Sequence, residues 1–382
     1  MTDSIYLDNS STTPVLPAVC EAMRPYLTDV YGNPASAHRV GSRARRALED
    51  ARERTAAILN CHPDEVVFTS GATEANNLAL FGLARDPPGS VICSPIEHPS
   101  VTEPIERLGE LGFRVDRLPV TRDGIVPAEA LFEHVRPDTR LVSVMLANHE
   151  TGAVQPVAEL ARQLDVAFHC DAAQAVGKIP VDFRALGVTT LTLSAHKLHG
   201  PKGAGALLVR RDVKLRPQLW GGHQQRGRRP GTEPVALAVG LAVALDSWHK
   251  EAQTRTEHVC RIRRKFLEQL RASAGPAVVN GPVDAAAGRC LPHTLNVSFP
   301  GCKADSLLMN LDLAGVACST GSACSSGSLL PSPVLQAMGV PAEVLHSAMR
   351  FSVSSLTTEP EVLEAARRIS EVVARLRQCH PR

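Results

Sequence analysis

Two apolar stretches of the chain, each ending in a charged residue, decide its fold: Val166-Ala167-Phe168-His169-Cys170-Asp171 and Leu191-Thr192-Leu193-Ser194-Ala195-His196-Lys197. Both are typical of short buried strands, and Gln174 follows the first one closely. A lysine amine can form a Schiff base with pyridoxal phosphate (PLP), and a carboxylate can keep the pyridine nitrogen protonated so that the ring withdraws electrons. The pair Lys197 and Asp171 therefore predicts a PLP site.

Other apolar, β-branched runs alternate with helical patterns between about Val15 and Trp248. They cover residues 66–69, 91–93, 141–146 and 206–209. Strands that alternate with helices predict an α/β fold with a mostly parallel sheet covered on both faces. Ligands of such sheets bind beyond the carboxyl ends of the strands, so Asp171, Lys197 and the segment after Phe68 are expected at one edge.

The length of the chain, 382 residues, exceeds the size at which a single hydrophobic core keeps growing. Near Glu251 the pattern changes to a long charged helix through Arg271, followed by a strand-like run over 294–299 and a terminal helix over 359–378. We therefore predict a large domain of residues 15–250. A smaller α+β domain is expected to combine residues 1–14 and 251–382.

Composition excludes several classes of function. The net charge is +2, and the basic cluster at 226–229 lacks interleaved aromatic residues, so it is more typical of an anion-binding loop than of nucleic-acid binding. No run approaches the roughly 20 apolar residues of a membrane span, and the N-terminus lacks a signal-peptide pattern. Ten cysteines without paired spacing indicate reduced thiols. We expect a cytoplasmic protein with no nucleic-acid, membrane or metal partner.

A phosphate site is predicted after the strand that ends in Thr69. The sequence there is Ser70-Gly71-Ala72-Thr73-Glu74, in which glycine permits a tight turn and the following helix offers N–H groups to an anion. An ordinary capped helix is the alternative. Ser194 and His196 favour the phosphate interpretation, because they add donors at the same edge of the sheet.

Two further side chains suit a PLP enzyme. His98 follows a strand and could stack on the cofactor ring and transfer protons, although most loop histidines are merely exposed. Arg350 lies within an apolar run, where its planar guanidinium suits either the carboxylate of an amino-acid substrate or a structural ion pair.

A candidate nucleophile lies in the Ser/Gly-rich stretch at 317–328. Cys324 is surrounded there by small polar residues, which favours an accessible, reactive thiol. Cys318, close to Val316, is more typical of a buried structural thiol.

Taken together and in this order, the motifs resemble the class I cysteine desulfurases, a branch of the class V aminotransferases with the PLP fold type I architecture. The resemblance covers nearly the whole chain. It rests on Tyr6-Leu7-Asp8-Asn9-Ser10, Gly32-Asn33-Pro34-Ala35-Ser36-Ala37-His38, Gly71-Ala72-Thr73-Glu74, Glu97-His98, Asp171-Ala172-Ala173-Gln174, Ser194-Ala195-His196-Lys197, Arg229-Pro230-Gly231-Thr232-Glu233 and Gly321-Ser322-Ala323-Cys324-Ser325-Ser326.

The resemblance implies a role for each cofactor-binding position. Lys197 would form the Schiff base, Asp171 would pair with the pyridinium nitrogen, Gln174 would bond the phenolic oxygen, and His98 would stack on the ring. The remaining residues would bind the phosphate: Ala72, Thr73, Ser194 and His196, with Thr232 supplied by the second subunit of a homodimer.

The same resemblance implies the reaction. Arg350, assisted by Asn296, would bind the carboxylate of L-cysteine, and Cys324 would accept the sulfur as a persulfide while L-alanine leaves. The sulfur would then pass to an acceptor protein in iron–sulfur cluster or thio-cofactor biosynthesis. The chain stops soon after the predicted terminal helix, whereas members that feed an iron–sulfur scaffold extend further, so the acceptor stays open.

Two departures from the family pattern stand out. His149 occupies a position where family members carry an asparagine that contacts the cofactor, and Ser354-Ser355 replace a glycine–arginine pair. Three other functions stay open on sequence grounds. They are a selenocysteine lyase, another class V lyase or aminotransferase, and a non-catalytic sulfur carrier or partner-binding protein.

Overall fold

A computed structural model describes residues 4–84, 87–162, 164–285, 287–321 and 331–379. The strands are β1 Ile5–Tyr6, β2 Val66–Thr69, β3 Ser90–Cys93, β4 Arg114–Arg117, β5 Thr139–Ser143, β6 Ala167–Asp171, β7 Thr190–Ser194, β8 Gly205–Val209, β9 Val278–Val279, β10 Thr294–Ser298, β11 Val316–Ala317 and β12 Ala348–Ser352. The helices are α1 Pro17–Met23, α2 Pro25–Thr28, α3 Arg39–Ile58, α4 Ala72–Leu83, α5 Pro99–Glu110, α6 Ala128–His134, α7 Val157–Arg162, α8 Phe183–Leu186, α9 Val235–Ser273, α10 Ala304–Leu313, α11 Pro333–Ala337, α12 Ala342–Leu345 and α13 Glu359–Cys379.

The largest sheet has seven strands in the order β2-β8-β7-β6-β5-β3-β4. Strand β8 is antiparallel to both of its neighbours, and the other neighbouring pairs are parallel. Strands β2, β3, β7 and β8 are buried along their whole length, as the continuous apolar runs of a sheet covered on both faces require. The predicted α/β fold with a mostly parallel sheet is confirmed.

Helices cover both faces of this sheet because successive strand residues point in opposite directions. Val66 and Phe68 pack into a hydrophobic cluster that includes side chains of α3 and the first part of α9. Val67, between them, packs into another cluster with side chains of α4 and α5. The sheet is therefore the middle layer of three, and its carboxyl edge is left open for a site.

A further hydrophobic cluster joins β10, β12, the N-terminal strand β1, the second part of α9 and helix α13. Strand β1 pairs with β11 through Ile5 and Val316, so the N-terminal segment lies beside C-terminal elements. Strand β10 lies between β12 and β9 in an antiparallel sheet. The division into domains at residue 250 stays a prediction.

Helix α9 differs from its sequence-based prediction. The charged helical pattern suggested a start near Glu251, but the helix begins at Val235 and runs unbroken to Ser273. Its first part is buried on most sides, with Val235, Leu241, Leu245 and Trp248 in the core. A helix buried on most sides lacks the polar stripe that marks an amphipathic helix. Among the described residues, no helix is both long and apolar enough to cross a bilayer.

Two glycines let the first turn of α4 approach the sheet closely. A Cβ atom placed on Gly205 would lie 2.7 Å from the Cα of Gly71. Gly71 has φ 155° and ψ −177°, a backbone conformation that residues with a Cβ atom rarely adopt. The turn at Gly71 is therefore pressed against the start of strand β8.

We expect Gly205→Ala to lower the free energy of unfolding by about 1–3 kcal/mol, because the new methyl group meets backbone atoms that cannot rotate away. Urea unfolding checks this. Gly109→Ala is the matched control, since its Cβ would lie 3.4 Å from Val115 Cγ2 and α5 gains a better helix former. Equal stability of the Gly205 variant and the wild type would contradict the close approach.

Candidate active site

A cavity of about 500 Å³ lies beyond the carboxyl ends of β2, β6 and β7, a volume typical of small-molecule sites. The cavity brings together most of the residues that the sequence predicted for cofactor binding. They are Ala72, Thr73, His98, His149, Asp171, Gln174, Ser194, His196 and Lys197. The parallel strands account for this convergence, because their carboxyl ends meet at one edge of the sheet.

Lys197 ends a short 3-10 turn, Ala195–Lys197, that follows β7 directly. Its Nζ donates hydrogen bonds to the carbonyl oxygens of Ser10 at 2.6 Å and Ser11 at 2.8 Å. Lys178 Nζ in turn donates to the carbonyl oxygen of Lys197. The turn and the amine are thus held by groups far away in the sequence, and the amine opens onto the cavity.

Asp171 ends strand β6 and is 5% exposed. Its Oδ1 accepts the backbone N–H of Ala173 at 2.9 Å, and its Oδ2 accepts a hydrogen bond from Asn76 Nδ2 at 2.8 Å. A buried carboxylate needs such donors, because an unpaired buried charge is strongly unfavourable. One face of the carboxylate is thus fixed by the protein while the residue lines the cavity.

Asn76 is a functional residue that the sequence analysis did not single out. It is fully buried on α4, and its Oδ1 lies 3.0 Å from His169 Nε2. Burial lowers the pKa of His169 to about 4, although Asp171 opposes the shift, so the imidazole is neutral at pH 7. Because Asn76 Oδ1 can only accept, the neutral ring carries its proton on Nε2, and Nδ1, 2.9 Å from Thr190 Oγ1, accepts the hydroxyl. This chain of contacts orients the amide that holds Asp171.

The phosphate-binding prediction falls at the first turn of α4. The helix starts at Ala72 and lines the cavity with Thr73, so its leading N–H groups have no intrahelical acceptor. The hydroxyl oxygen of Ser194 is buried and has no hydrogen-bond partner within the described ranges. Burial, followed by Lys197, lowers the pKa of His196 to about 4. These groups offer several donors to an anion.

Thr232 is exposed and does not line this cavity in the described part of its own chain. The prediction that a second subunit supplies it is not tested by a single chain.

His98 and His149 form one wall of the cavity, with ring centroids 5.3 Å apart and planes at 77°. His98 Nδ1 accepts the backbone N–H of Ser100 at 3.1 Å at the start of α5, which leaves the proton on Nε2. Burial is the main cause that lowers the pKa of His98, and Asp171 opposes it. Burial, then the neighbouring His98, also holds the pKa of His149 well below its usual range. The wall therefore consists of two neutral imidazoles.

Gln174 lies on the floor of the cavity. Its Nε2 donates to the carbonyl oxygen of Ser10 at 2.9 Å, while its Oε1 is buried without a partner among the described residues. The predicted bond to a cofactor's phenolic oxygen stays a prediction.

Arg350 and Asn296 are paired across the antiparallel strands β12 and β10, but neither lines the cavity. Arg350 is 3% exposed and donates to Asp8 Oδ1 at 2.8 Å and Ser11 Oγ at 2.6 Å. The structural ion pair, which the sequence left open as the alternative, is thus present between Arg350 and Asp8. A substrate carboxylate would have to bind Arg350 beside Asp8 or in its place. Asn296 is fully buried and accepts from Asn280 Nδ2 at 2.8 Å. Both substrate-binding roles stay predictions.

The candidate nucleophile Cys324 lies outside the described residues. Cys318, which the sequence marked as structural, is partly buried. Burial raises the pKa of its thiol to about 12, so it is uncharged at pH 7. No group of histidine, cysteine or acidic side chains in the described part of the chain is arranged to bind a metal ion.

Comparison with known proteins matches residues 5–364 to the model of the aminotransferase class-V family. The chain belongs to this family. It is 40% identical over 387 residues to the cysteine desulfurase IscS of Dictyoglomus turgidum, covering all of this chain and 97% of that protein. A solved NifS-like protein superposes with a TM-score of 0.91 at 37% identity, covering 97% of this chain and 99% of that one. SspA, solved in complex with cysteine, gives a TM-score of 0.81 at 34% identity, covering 93% and 100%.

These similarities confirm the family expected from the motifs and the PLP fold type I architecture. They extend along the whole chain rather than resting on one motif.

We expect the buried histidines to reduce the stability of the protein as the pH is lowered from 7 to 5. Burial lowers the pKa of His169 and of His199 to about 4, so the unfolded chain binds protons in this interval that the folded chain does not. Each such histidine should reduce the free energy of unfolding by about 2 kcal/mol over this interval. Urea unfolding at the two pH values measures the loss.

His199→Asn is the matched variant, because asparagine tolerates the φ of 65° at this position. The free energy of unfolding of this variant should fall by about 2 kcal/mol less than that of the wild type between pH 7 and 5. His249→Asn, at an exposed position, is the control and should behave as the wild type does. An undiminished pH dependence in the His199 variant would show that this residue titrates normally when folded.

Proposed function

We propose that this chain is a PLP-dependent cysteine desulfurase, which converts L-cysteine to L-alanine and takes the sulfur onto Cys324 as a persulfide. The observation that carries the proposal is the meeting of Lys197, Asp171 and His98 in one cavity at the edge of the sheet. The 40% identity to a protein named cysteine desulfurase, along the full length of both chains, supports the same conclusion.

The cavity fits PLP on its own chemistry. Asp171 offers a fixed carboxylate to the pyridine nitrogen, and the Lys197 amine opens onto the same space. The unpartnered hydroxyl of Ser194 and the first N–H groups of α4 suit a phosphate. The neutral ring of His98 suits stacking on the pyridine. PLP, when bound there, would withdraw electrons from the substrate and so make its Cα–H bond acidic and its Cβ–S bond cleavable.

The protein's own groups then account for proton transfer and orientation. Lys197 lines the same cavity as Asp171, and the carbonyl oxygens of Ser10 and Ser11 direct its amine. His98 carries its proton on Nε2 and can donate it, because Nδ1 is engaged by the N–H of Ser100. Arg350 would bind the substrate carboxylate, exchanging its contact with Asp8 for it.

Sulfur transfer needs a nucleophile other than these groups. The Cys324 thiolate would attack the sulfur of the substrate, forming an S–S bond while the Cβ–S bond breaks. The electron pair of that bond stays with the substrate, Cβ takes up a proton, and alanine leaves. Cys324 is then a persulfide that an acceptor thiol can reduce or take over.

The exposure of Thr232 on its own chain supports a homodimer, because a residue expected to bind phosphate would then reach the partner's cavity. The described cysteines are free, which suits a reducing cytoplasm. The identity of the sulfur acceptor stays open between an iron–sulfur scaffold and a thio-cofactor pathway.

We expect Asn76→Ala to weaken PLP binding by about tenfold, because Asp171 loses one of the two donors that fix the direction of its carboxylate. Absorbance titration of the apo-protein with PLP gives the dissociation constant. Asn310→Ala, on α10 beside Ser306 and Arg375, is the control and should bind PLP as the wild type does. Unchanged affinity of the Asn76 variant would mean that Asp171 needs no support from it.

The decisive test is the production of alanine and sulfide from L-cysteine, with a thiol reductant, by wild type and Cys324→Ser side by side. We expect both products from the wild type and neither from the variant, which should still bind PLP. Cys318→Ser is the matched control and should keep activity, because that thiol is uncharged and partly buried. Undiminished sulfide release by Cys324→Ser would refute the proposal, and turnover of selenocysteine alone would assign a selenocysteine lyase.

A further inference from the structure

Glu150 is a buried acid that lies next to the cavity wall but takes no part in the chemistry above. Only 2% of it is exposed. Its Oε2 accepts a hydrogen bond from Ser332 Oγ at 2.6 Å, and its backbone N–H donates to Asn148 Oδ1 at 2.9 Å. Ser332 is the residue that caps helix α11, because its Oγ accepts the N–H of Leu335 at 3.1 Å. Glu150 thus contacts the start of that helix.

The same carboxylate also contacts Gly321. A Cβ atom placed on Gly321 would lie 2.7 Å from Glu150 Oε2, and the φ of Gly321 is 87°. The backbone therefore passes close to the carboxylate, in a conformation that favours glycine. The N–H of Gly321 donates to Ser319 Oγ at 3.1 Å, which fixes its position further. One carboxylate hence contacts two residues that are eleven positions apart in the sequence.

Cys324 lies between these two residues in the sequence. Gly321 precedes it by three positions, and Ser332 follows it by eight. The carboxylate of Glu150 therefore contacts one described residue on each side of the candidate nucleophile in the sequence.

On its other side, Glu150 is linked to the active site. His149 Nε2 lies 3.8 Å from Glu150 Oε1, and the ring of His149 lines the cavity. The carbonyl oxygen of His149 accepts a hydrogen bond from Arg350 Nη1 at 3.0 Å. Arg350 and Ser319 exchange backbone hydrogen bonds at 2.6 and 3.1 Å, just before Gly321. A continuous set of contacts thus joins the wall of the cavity to both sides of the Cys324 segment.

Burying this acid is unfavourable for the fold. Burial raises the pKa of Glu150 to about 7, although the hydrogen bond from Ser332 and the charge of Arg350 oppose the shift. A buried carboxyl group costs stability that an apolar side chain of similar size would not. Strongly perturbed acids beside a cleft are common at functional sites. The placement of Glu150 is better explained by what it contacts than by what it adds to stability.

We propose that Glu150 is the positioning residue for Cys324: by contacting Gly321 and Ser332 at once, it fixes the positions of two residues that flank the nucleophile in the sequence. The proposal rests on the desulfurase function proposed above. Glu150 touches neither substrate nor cofactor in this role. It acts through the geometry of the chain on both sides of Cys324, and its contact with His149 transmits that geometry from the cofactor cavity.

The experiment uses PLP-loaded enzyme carrying Glu150→Ala, Glu150→Asp or Glu150→Gln. Three quantities are measured: the absorbance of bound PLP and its change on adding L-cysteine, the rate of persulfide formation on the Cys324 peptide by mass spectrometry, and the rate of Cys324 alkylation by iodoacetamide without substrate. We expect the alanine and aspartate variants to form persulfide about tenfold to a hundredfold more slowly, because a displacement of about 1 Å has effects of that size. Their absorbance change with L-cysteine should persist, and their alkylation rates should differ severalfold from wild type.

Glu150→Gln separates contact from charge, since its amide oxygen can still reach Ser332 and accept its hydrogen bond. We expect it to restore most of the persulfide rate. Glu65→Asp is the control, because it shortens another buried glutamate, which accepts the N–H groups of His62 and Arg211. It should leave Cys324 unaffected.

Wild-type rates of persulfide formation and alkylation in both Glu150→Ala and Glu150→Asp would overturn the proposal. So would a loss of persulfide that only parallels a loss of bound PLP, since that would be a structural effect. If Glu150→Ala does not fold, Glu150→Asp carries the test. A wild type that binds PLP but forms no persulfide would instead refute the desulfurase function, while alkylation would still report on Glu150.

Discussion

A carboxylate at the end of a buried strand needs hydrogen-bond donors, because an unpaired buried charge is strongly unfavourable. Asp171 is such a group, and the elements around the carboxyl edge of the large sheet supply its donors. The N–H of Ala173 and the amide of Asn76 each donate to one of its oxygens. Asn76 can do so only because helix α4 starts at the edge of the same sheet and turns this side chain inward. A neutral His169 then fixes which way the amide points. The charge of Asp171 is thus met by a backbone N–H after β6 and by an amide of α4 that His169 orients.

The same edge also explains why the other groups of the cavity come together. Strands β6 and β7 are parallel, with Asp171 aligned with Thr192; β7 continues two residues further to Ser194, and the turn after it presents Lys197. The antiparallel strand β8 begins at this edge, where Gly205 leaves room for the turn at Gly71. The strand ends therefore fix the backbone positions of the turn at Gly71, of Asp171 and of Lys197 relative to one another. Such preorganisation is what a cofactor that must keep one orientation requires.

Sequence reasoning found the elements whose signal is local. Runs such as 66–69 and 191–193 are apolar over a few residues, and Asp171 and Lys197 follow such runs directly, so both the strands and their end residues could be predicted. Asn76 and Glu150 carry no comparable signal. Their partners lie 95 residues away in Asp171 and 182 residues away in Ser332, and only the folded chain brings these groups together. The start of α9 was missed because an all-apolar stretch lacks helical periodicity.

Helix α9 connects two of the hydrophobic clusters through one continuous backbone. It has 39 residues and is therefore roughly 58 Å long, and its two halves belong to different hydrophobic clusters. No proline or glycine interrupts it between Leu241 and Ser273, so it offers none of the usual points at which helices bend. Both clusters are therefore connected by one continuous helix. A change in the angle between them would have to bend α9 itself, at a cost in its backbone hydrogen bonds.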